Sequence, residues 1–274
     1  MTGHEGIFSI DRKVIIITGG EGVLGSTLAL GMASLGARIA IVGINGERGR
    51  ETEEKIRSAG GEAVFHDASV LERKAMEEVK RSVLSAWGSA DVLINAAGGN
   101  MPGATVGVDQ DIFDMSIDDF RKVNELNLDG TVIPSMIFGE QMAEKGKGVI
   151  VNFSSMASLR AISRVAGYSA AKAAVDNFTR WMAVEMAAKY GDGIRVNAIA
   201  PGFLVTKQNH DLLIKSDGSM TERAKKIIVH TPFGRFGRPE ELTGTILWLI
   251  SDASAFVTGT VIPVDGGFSA WSGV

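Results

Sequence analysis

Along this chain, short apolar runs rich in β-branched residues alternate with longer stretches whose apolar positions recur every three to four residues. The first run, Val14-Ile15-Ile16-Ile17-Thr18 after Lys13, presents no polar side to water, which predicts a strand buried on both faces. Leu24, Leu28, Met32 and Leu35 then recur at helical spacing, and Gly36-Ala37 ends that segment before a second apolar run over 38–42. Strand, helix and strand in this order make one βαβ unit. Further strands are predicted over 63–66, 91–95, 149–153, 195–199 and 260–264, and helices over 70–87, 116–145 and 166–190. Leu71, Ala75, Val79 and Val83 share one face of the 70–87 helix, and Asn127 falls inside the 116–145 helix. The alternation predicts an α/β fold: a Rossmann-type, doubly wound parallel seven-stranded sheet with helices on both faces. No linker divides the pattern, so 1–274 reads as a single domain. Only 203–238 breaks the rhythm, between the sixth strand and a helix starting near Pro239.

Composition narrows the function. An apolar fraction of 45% supports a large core, and a net charge of −4 gives no basic footprint, so no nucleic-acid partner is expected. The chain has no cysteine, which excludes disulfides and thiolate chemistry. No segment approaches the ~18 consecutive apolar residues of a membrane span, and the N-terminus lacks an apolar signal core. No membrane association and a cytoplasmic location are therefore expected. His4, His66, His210 and His230 are scattered without ligand spacing, so no metal site is expected.

Two stretches carry chemistry. In Thr18-Gly19-Gly20-Glu21-Gly22-Val23-Leu24-Gly25, Gly19 can turn tightly after the strand, Gly22 can admit a pyrophosphate, and Gly25 can let the helix start press on the strand. The free N–H groups of that helix start then face an anion. Alone, such a loop does not decide for a nucleotide, because glycine-rich turns open many helices. Tyr168 and Lys172 lie four apart on a predicted helix and share one face. A free tyrosine, with a pKa of about 10, is a poor base near neutrality, and a neighbouring ammonium favours its phenolate. An isolated Tyr-x-x-x-Lys more often belongs to an ordinary amphipathic helix. Ser155 changes that reading, since it follows the 149–153 run where an open α/β sheet places its reacting groups.

With these residues assembled, the chain resembles the short-chain dehydrogenase/reductase superfamily over nearly its whole length. The resemblance also includes Asp67, Asn95-Ala96-Ala97-Gly98, Asn127-Leu128-Asp129-Gly130, Arg195-Val196-Asn197-Ala198-Ile199-Ala200-Pro201-Gly202 and Asp265-Gly266-Gly267. It implies an NAD(P)-dependent dehydrogenase or reductase acting on a CH–OH group. Tyr168 is implied as general acid in carbonyl reduction and base in alcohol oxidation, with Lys172 lowering its pKa and contacting the nicotinamide ribose. Ser155 would bond the reacting oxygen, and Asn127 would hold a water linking Lys172 to solvent. Cofactor contacts are implied for Gly19, Gly22, Val23, Leu24, Gly25, Asn45, Asp67, Ala68, Asn95, Ala96, Ala97, Gly98, Pro201, Gly202 and Thr206. Two plainer roles stay open: Asn127 as a helix-kink residue satisfying its own backbone, and Asn95 as a pin for the strand–loop junction. The family builds its substrate lid where 203–238 lies, and commonly assembles as a homotetramer whose helices near 116–145 and 166–190 pair across one interface.

The glycine loop departs from the usual Thr-Gly-x-x-x-Gly-x-Gly. The middle glycine falls on Val23, with Gly22 one residue earlier, so the loop backbone is expected to be reset. Glu21 is expected to point to solvent, because it would otherwise repel phosphates. Cofactor choice should be set after the second strand, where an acid bonds the ribose hydroxyls of NAD and a base pairs the extra phosphate of NADP. Val42-Gly43-Ile44-Asn45 offers neither, and Gly22 holds a place that is commonly basic in NADP users. Arg48 reads as a solvated residue in the first turn of a charged helix. NAD is favoured over NADP on these absences.

The runs 98–102, 203–210 and 266–274 resemble a sugar-acid branch of the superfamily, the D-mannonate oxidoreductases or fructuronate reductases. This implies a small-molecule sugar-acid substrate, with D-mannonate and D-fructuronate as the favoured pair. A polyhydroxy carboxylate needs several hydrogen-bond partners and a cation, which Asn100, Arg160, Arg164, Lys207, Gln208, Asn209, His210 and Arg235 could supply. The alternatives are gluconate 5-dehydrogenase or another polyol or sugar-acid dehydrogenase, a 3-oxoacyl-carrier-protein reductase, and a non-catalytic dinucleotide-binding regulator. The last fits poorly with the presence of Ser155, Tyr168 and Lys172 together.

Overall fold

The computed structural model describes residues 4–205 and 213–273. Seven parallel strands, β1 (Val14–Thr18), β2 (Arg38–Gly43), β3 (Glu62–Asp67), β4 (Val92–Asn95), β5 (Gly148–Phe153), β6 (Ile194–Pro201) and β7 (Val261–Val264), form one sheet in the order β3-β2-β1-β4-β5-β6-β7. The order reverses between β1 and β4, where the crossovers leave toward opposite edges and a crevice opens beyond the strand ends. Thr18 pairs with Val42 on one side and Asn95 on the other, and Asn95 with Asn152, so these strands end level around that crevice.

The unbroken apolar runs are explained by two core layers. Ile15, Ile17, Ile39 and Ile41 face one layer with Leu28 and Met32 of α1 (Val23–Ala33), Ile56 of α2 (Gly46–Ser58), and Ile246 and Leu249 further along. Their neighbours Val14, Ile16, Ala40 and Val42 face the other layer, filled by Met76, Val79 and Val83 of α3 (Arg73–Trp87) and by Phe138, Met142 and Met182. A strand with a helix layer on each face has no side left for polar residues.

Three predicted boundaries shift. Helix α1 ends at Ala33, and Leu35 is 46% exposed, because the chain turns through Gly36 at positive φ. Helix α3 begins at Arg73, with Glu72 at its N-cap. The single helix predicted over 116–145 is two, α4 (Ile117–Asn124) and α5 (Gly130–Lys145), joined by a π-helical turn at Glu125–Asp129. That turn carries Asn127, and Pro134, lacking an N–H, sits in the next turn and a half of α5. After the short α6 (Met156–Leu159), α7 spans Ala166–Tyr190, the range predicted. Within 203–238, α8 (Glu222–Val229) closes a small core of its own: Leu213, Ala224 and Ile227 against Phe203, Val205, Ile214 and Phe236. Helix α9 (Thr243–Ile250) follows a 3-10 turn at Pro239–Leu242. Among the described residues no helix is long and apolar enough to cross a membrane.

Candidate active site

After β1 the chain turns through Gly19, whose φ of +62° lies in the left-handed region that glycine enters without steric cost. A β-carbon there would meet the Ala97 backbone at 2.8 Å, and the Thr18 hydroxyl oxygen accepts from the Ala97 N–H at 3.2 Å. A β-carbon on Gly25 would lie 2.3 Å from the Gly19 carbonyl oxygen. The start of α1 is therefore pressed onto the loop, and its unpaired N–H groups are available to an anion. Gly22 is the N-cap at an ordinary φ of −71°, although a β-carbon there would lie 3.1 Å from the Gly19 carbonyl oxygen, and Val23 is the first helical residue. The displaced glycine thus imposes no strained residue on the loop.

Glu21 does not point to solvent as expected. Its Oε1 accepts from the Ile44 N–H at 3.1 Å, and its carboxylate lies over Gly43. The bare glycine at the end of β2 leaves room for it, and the free N–H beyond draws it in.

A cavity of about 520 Å³ opens at the carboxyl ends of the strands. Gly19, Gly22, Val23, Leu24 and Gly25 line one part with Asn45 and Ala68; Ala96, Ala97, Gly98, Pro201 and Gly202 line the middle; Ser155, Tyr168 and Lys172 line the far part. Ser155 caps α6, its Oγ accepting from the Ala157 N–H at 3.2 Å. Tyr168 stands in the first turn of α7 and Lys172 one turn later, so both project toward the ends of β5 and β6. Lys172 is 3% exposed; its Nζ donates to the Phe153 carbonyl at 2.8 Å and lies 5.6 Å from the centre of the Tyr168 ring. Burial lowers its pKa to about 8, opposed by the carboxylate of Asp176 a turn further on. Burial raises the pKa of Tyr168, opposed by its hydrogen bond with Ser155. Burial sets the net direction, opposite to the expected lowering, with the Lys172 ammonium 5.6 Å from the ring centre. The result is a neutral phenol beside a serine hydroxyl in the same cavity, the form a proton donor needs.

Asn127 is fully buried beside this group. Its amide nitrogen donates to Gly99 O (2.7 Å) and Val123 O (2.8 Å), and its Oδ1 accepts from the Gly99 N–H at 3.1 Å. Both amide hydrogens are therefore spent on backbone, which matches the bracing role more closely than the water-holding one. Asn95 donates to Ser135 Oγ (2.8 Å) and Asn152 Oδ1 (2.9 Å), and Asn152 donates to Thr179 Oγ1 (2.9 Å). This buried chain ties β4 and β5 to α5 and α7 behind the cavity wall, and Asn95 does not line the cavity. Asp67 is exposed at the end of β3, outside the lining.

The proposed substrate groups are scattered. Asn100 donates to Thr105 Oγ1 at 2.7 Å, Arg160 holds the Ser269 carbonyl through Nε (2.9 Å) and Nη2, and Arg164 donates from Nε to the Val106 carbonyl at 3.0 Å. None of the three lines the large cavity, because each is occupied in bracing a loop or the C-terminal segment. Arg235 pairs with Glu241 through two bonds of 2.6 and 2.8 Å at a separate cavity of about 220 Å³. Thr206, Lys207, Gln208, Asn209 and His210 lie outside the described residues.

Sequence reasoning missed Ser69, Leu126 and Ser154, which also line the large cavity, as do Phe203 and Leu204 at the start of the predicted lid. Ser154 and Leu126 sit one residue from predicted sites, and nothing in their own pattern marked them. Arg223 in α8 is half-buried, its pKa lowered by burial and by repulsion from the Arg164 guanidinium, and it does not line the large cavity.

A family model described as enoyl-(acyl carrier protein) reductase matches residues 21–269 of the chain. An "uncharacterized oxidoreductase UxuB" of Bacillus subtilis is 46% identical over 280 residues, spanning 99% of both chains. Among solved structures, a "putative D-mannonate oxidoreductase from Haemophilus influenza" with bound NAD has a TM-score of 0.91 at 43% identity, over 97% of this chain and 98% of that one. A "putative NAD(P) dependent gluconate 5-dehydrogenase" from Beutenbergia cavernae with bound NADP has a TM-score of 0.85 at 33% identity, over 97% and 100%.

Proposed function

This chain belongs to the short-chain dehydrogenase/reductase superfamily and is a dinucleotide-dependent oxidoreductase, and we propose that it interconverts the alcohol and ketone of a sugar acid, with D-mannonate and D-fructuronate as the favoured pair and NAD as the preferred cofactor. The observation that carries the reading is the single cavity that joins the glycine loop to Ser155, Tyr168 and Lys172. A β-carbon on Gly19 or Gly25 would collide with the protein's own backbone, so glycine lets the loop pack tightly under the start of α1, whose N-terminal turn lines the cavity and suits a phosphate-bearing group.

A bound nicotinamide dinucleotide supplies or accepts the hydride. The chain's own part is the proton. In carbonyl reduction, Tyr168 Oη donates its proton to the substrate oxygen while Ser155 Oγ hydrogen-bonds that same oxygen; in alcohol oxidation, Tyr168 Oη as phenolate takes the hydroxyl proton back, with Ser155 still bonded to the oxygen. Lys172 holds positive charge beside the phenol and is itself fixed by the Phe153 carbonyl. Asn127 fixes the Gly99 backbone at the cavity mouth.

The substrate class is supported by the Haemophilus relative, a "putative D-mannonate oxidoreductase" at 43% identity. Arg164 and Arg223 repel one another, and an anion between two guanidiniums relieves that repulsion. A gluconate 5-dehydrogenase is the second reading, favoured by the 33% identity to the Beutenbergia protein. Nicotinamide absorbance with NAD or NADP and a panel of aldonates, uronates and polyols tests both. Turnover of mannonate or fructuronate above the rest supports the first reading, gluconate above the rest supports the second, and turnover confined to neutral polyols overturns both.

A further inference from the structure

We propose that Glu21 reads the adenosine ribose, taking over the task of an acid that the end of β2 lacks. This rests on the reading that the large cavity binds a dinucleotide and prefers NAD. Strand β2 runs out in Gly43-Ile44-Asn45, with no acidic side chain. The carboxylate comes instead from the glycine loop. A β-carbon built on Gly43 would lie 1.8 Å from Glu21 Oε2, 2.0 Å from its Cδ and 2.4 Å from its Oε1. The carboxylate therefore fills the space that any side chain at position 43 would enter, and glycine at 43 and glutamate at 21 form one device.

Its two oxygens are not equivalent. Oε1 accepts from the Ile44 N–H at 3.1 Å, which fixes the carboxylate, while Oε2 is buried and has no hydrogen-bond partner. A carboxylate oxygen packed against Gly43 without a partner is costly, and because Glu21 lines the cavity, turning that oxygen outward to meet a donor relieves the cost. Glu21, Gly43 and Ile44 all line the cavity that begins at the phosphate-binding loop. The hydroxyls of a ribose are donors of the right kind. A 2′-phosphate offers only acceptors and negative charge, and is repelled. Arg48 lines the same part of the cavity and would attract that phosphate, so the preference depends on which of the two charges prevails, and Glu21 holds the position over β2.

Titration with NADH and NADPH, followed by the fluorescence of the bound nicotinamide and independently by calorimetry, tests this without relying on turnover. The wild type binds NADH more tightly. Glu21→Gln keeps an acceptor for Ile44 but removes the charge; NADH affinity falls and NADPH affinity rises, each by about tenfold. Gly43→Asp alone weakens NADH, because the new side chain and Glu21 claim one space, whereas Glu21→Ser with Gly43→Asp restores the NADH preference from the other strand. If the wild type prefers NADH but Glu21→Gln keeps its NADH-to-NADPH ratio within twofold, the proposal is overturned and the NAD reading stands. A wild type that prefers NADPH overturns both. Should Glu21→Gln fail to fold, the double variant decides: loss of its NADH preference overturns the proposal.

Discussion

Lys172 Nζ lies 5.6 Å from the centre of the Tyr168 ring and donates to the carbonyl of Phe153, so its position is set by the end of β5 and not by the phenol. Burial brings its pKa down from 10.5 to about 8. Between those values the unfolded chain holds a proton that the folded chain has released, so this group's contribution to stability rises with pH across that window. Tyr168 acts in the opposite sense at higher pH: its pKa is raised, so the unfolded chain loses its proton first and stability falls above the ordinary tyrosine value of 10.0. Melting curves from pH 7 to 10 should show the wild type gaining on Lys172→Met as pH rises from 8. Parallel curves would remove the buried-ammonium account.

Tyr168→Phe removes one hydroxyl and keeps the ring that covers Lys172. Turnover should fall by about 10²–10⁴-fold, the range for loss of a general acid, while NADH affinity changes little. A variant that keeps most of its turnover would place the proton donor elsewhere.

The sheet was legible because a strand covered on both faces must be continuously apolar, which the runs starting at Val14, Arg38 and Val149 display. Helix ends were less so: Leu35 kept the helical period but fell beyond the turn at Gly36. The kink at Asn127 was open to reading from its place inside a helical pattern, but the clamp on Gly99, 28 residues away in sequence, was not. Site residues whose task is local, such as Tyr168 and Lys172 one turn apart, could be read from spacing. Glu21 could not, since its direction depends on the missing side chain at Gly43, on another strand. Arg160 and Arg164 looked free in sequence, yet their partners are the Ser269 and Val106 carbonyls, which no spacing reveals.

The three hydrogen bonds of Asn127 give it a structural signature. Asn127→Ala takes the side-chain partner from the Gly99 N–H and from the Gly99 and Val123 carbonyls, groups that are buried or part-buried, at a cost of about 1–3 kcal/mol. Melting temperature and turnover should fall together, with the pH profile of kcat unmoved. A displaced pH profile at unchanged stability would favour the water-relay role.

A substrate carboxylate should be distinguishable from its hydroxyls by charge. Replacing Arg164, Arg223 or Lys207 with a neutral residue of similar length should raise KM for a sugar acid by about tenfold for each ~1.4 kcal/mol of lost pairing, and leave a neutral polyol of equal length almost unchanged. Arg164→Gln alone also frees the Val106 carbonyl, so its loop must be checked by melting. Equal losses for acid and polyol would take these residues out of the carboxylate role.

Assembly should follow the apolar surface that the chain leaves uncovered. On α7, Trp181 is 51% and Val184 67% exposed, and Met136 on α5 is 46% exposed. Side chains of this size three residues apart on one helix are an interface signature, because a monomer gains nothing by holding them in water. The C-terminal segment differs, being partly covered by its own chain: Phe268 meets Phe203 edge-to-face at 5.2 Å and Arg160 holds Ser269. A homotetramer with α5 and α7 paired across a twofold axis is therefore expected, and each such axis would place every substitution on both sides of the contact. Val184→Glu should set two like charges against each other near that axis and reduce the species seen in sedimentation at micromolar concentration from tetramer to dimer. A monomeric wild type under the same conditions would overturn the assembly, and an unaltered tetramer in Val184→Glu would move the interface off this face.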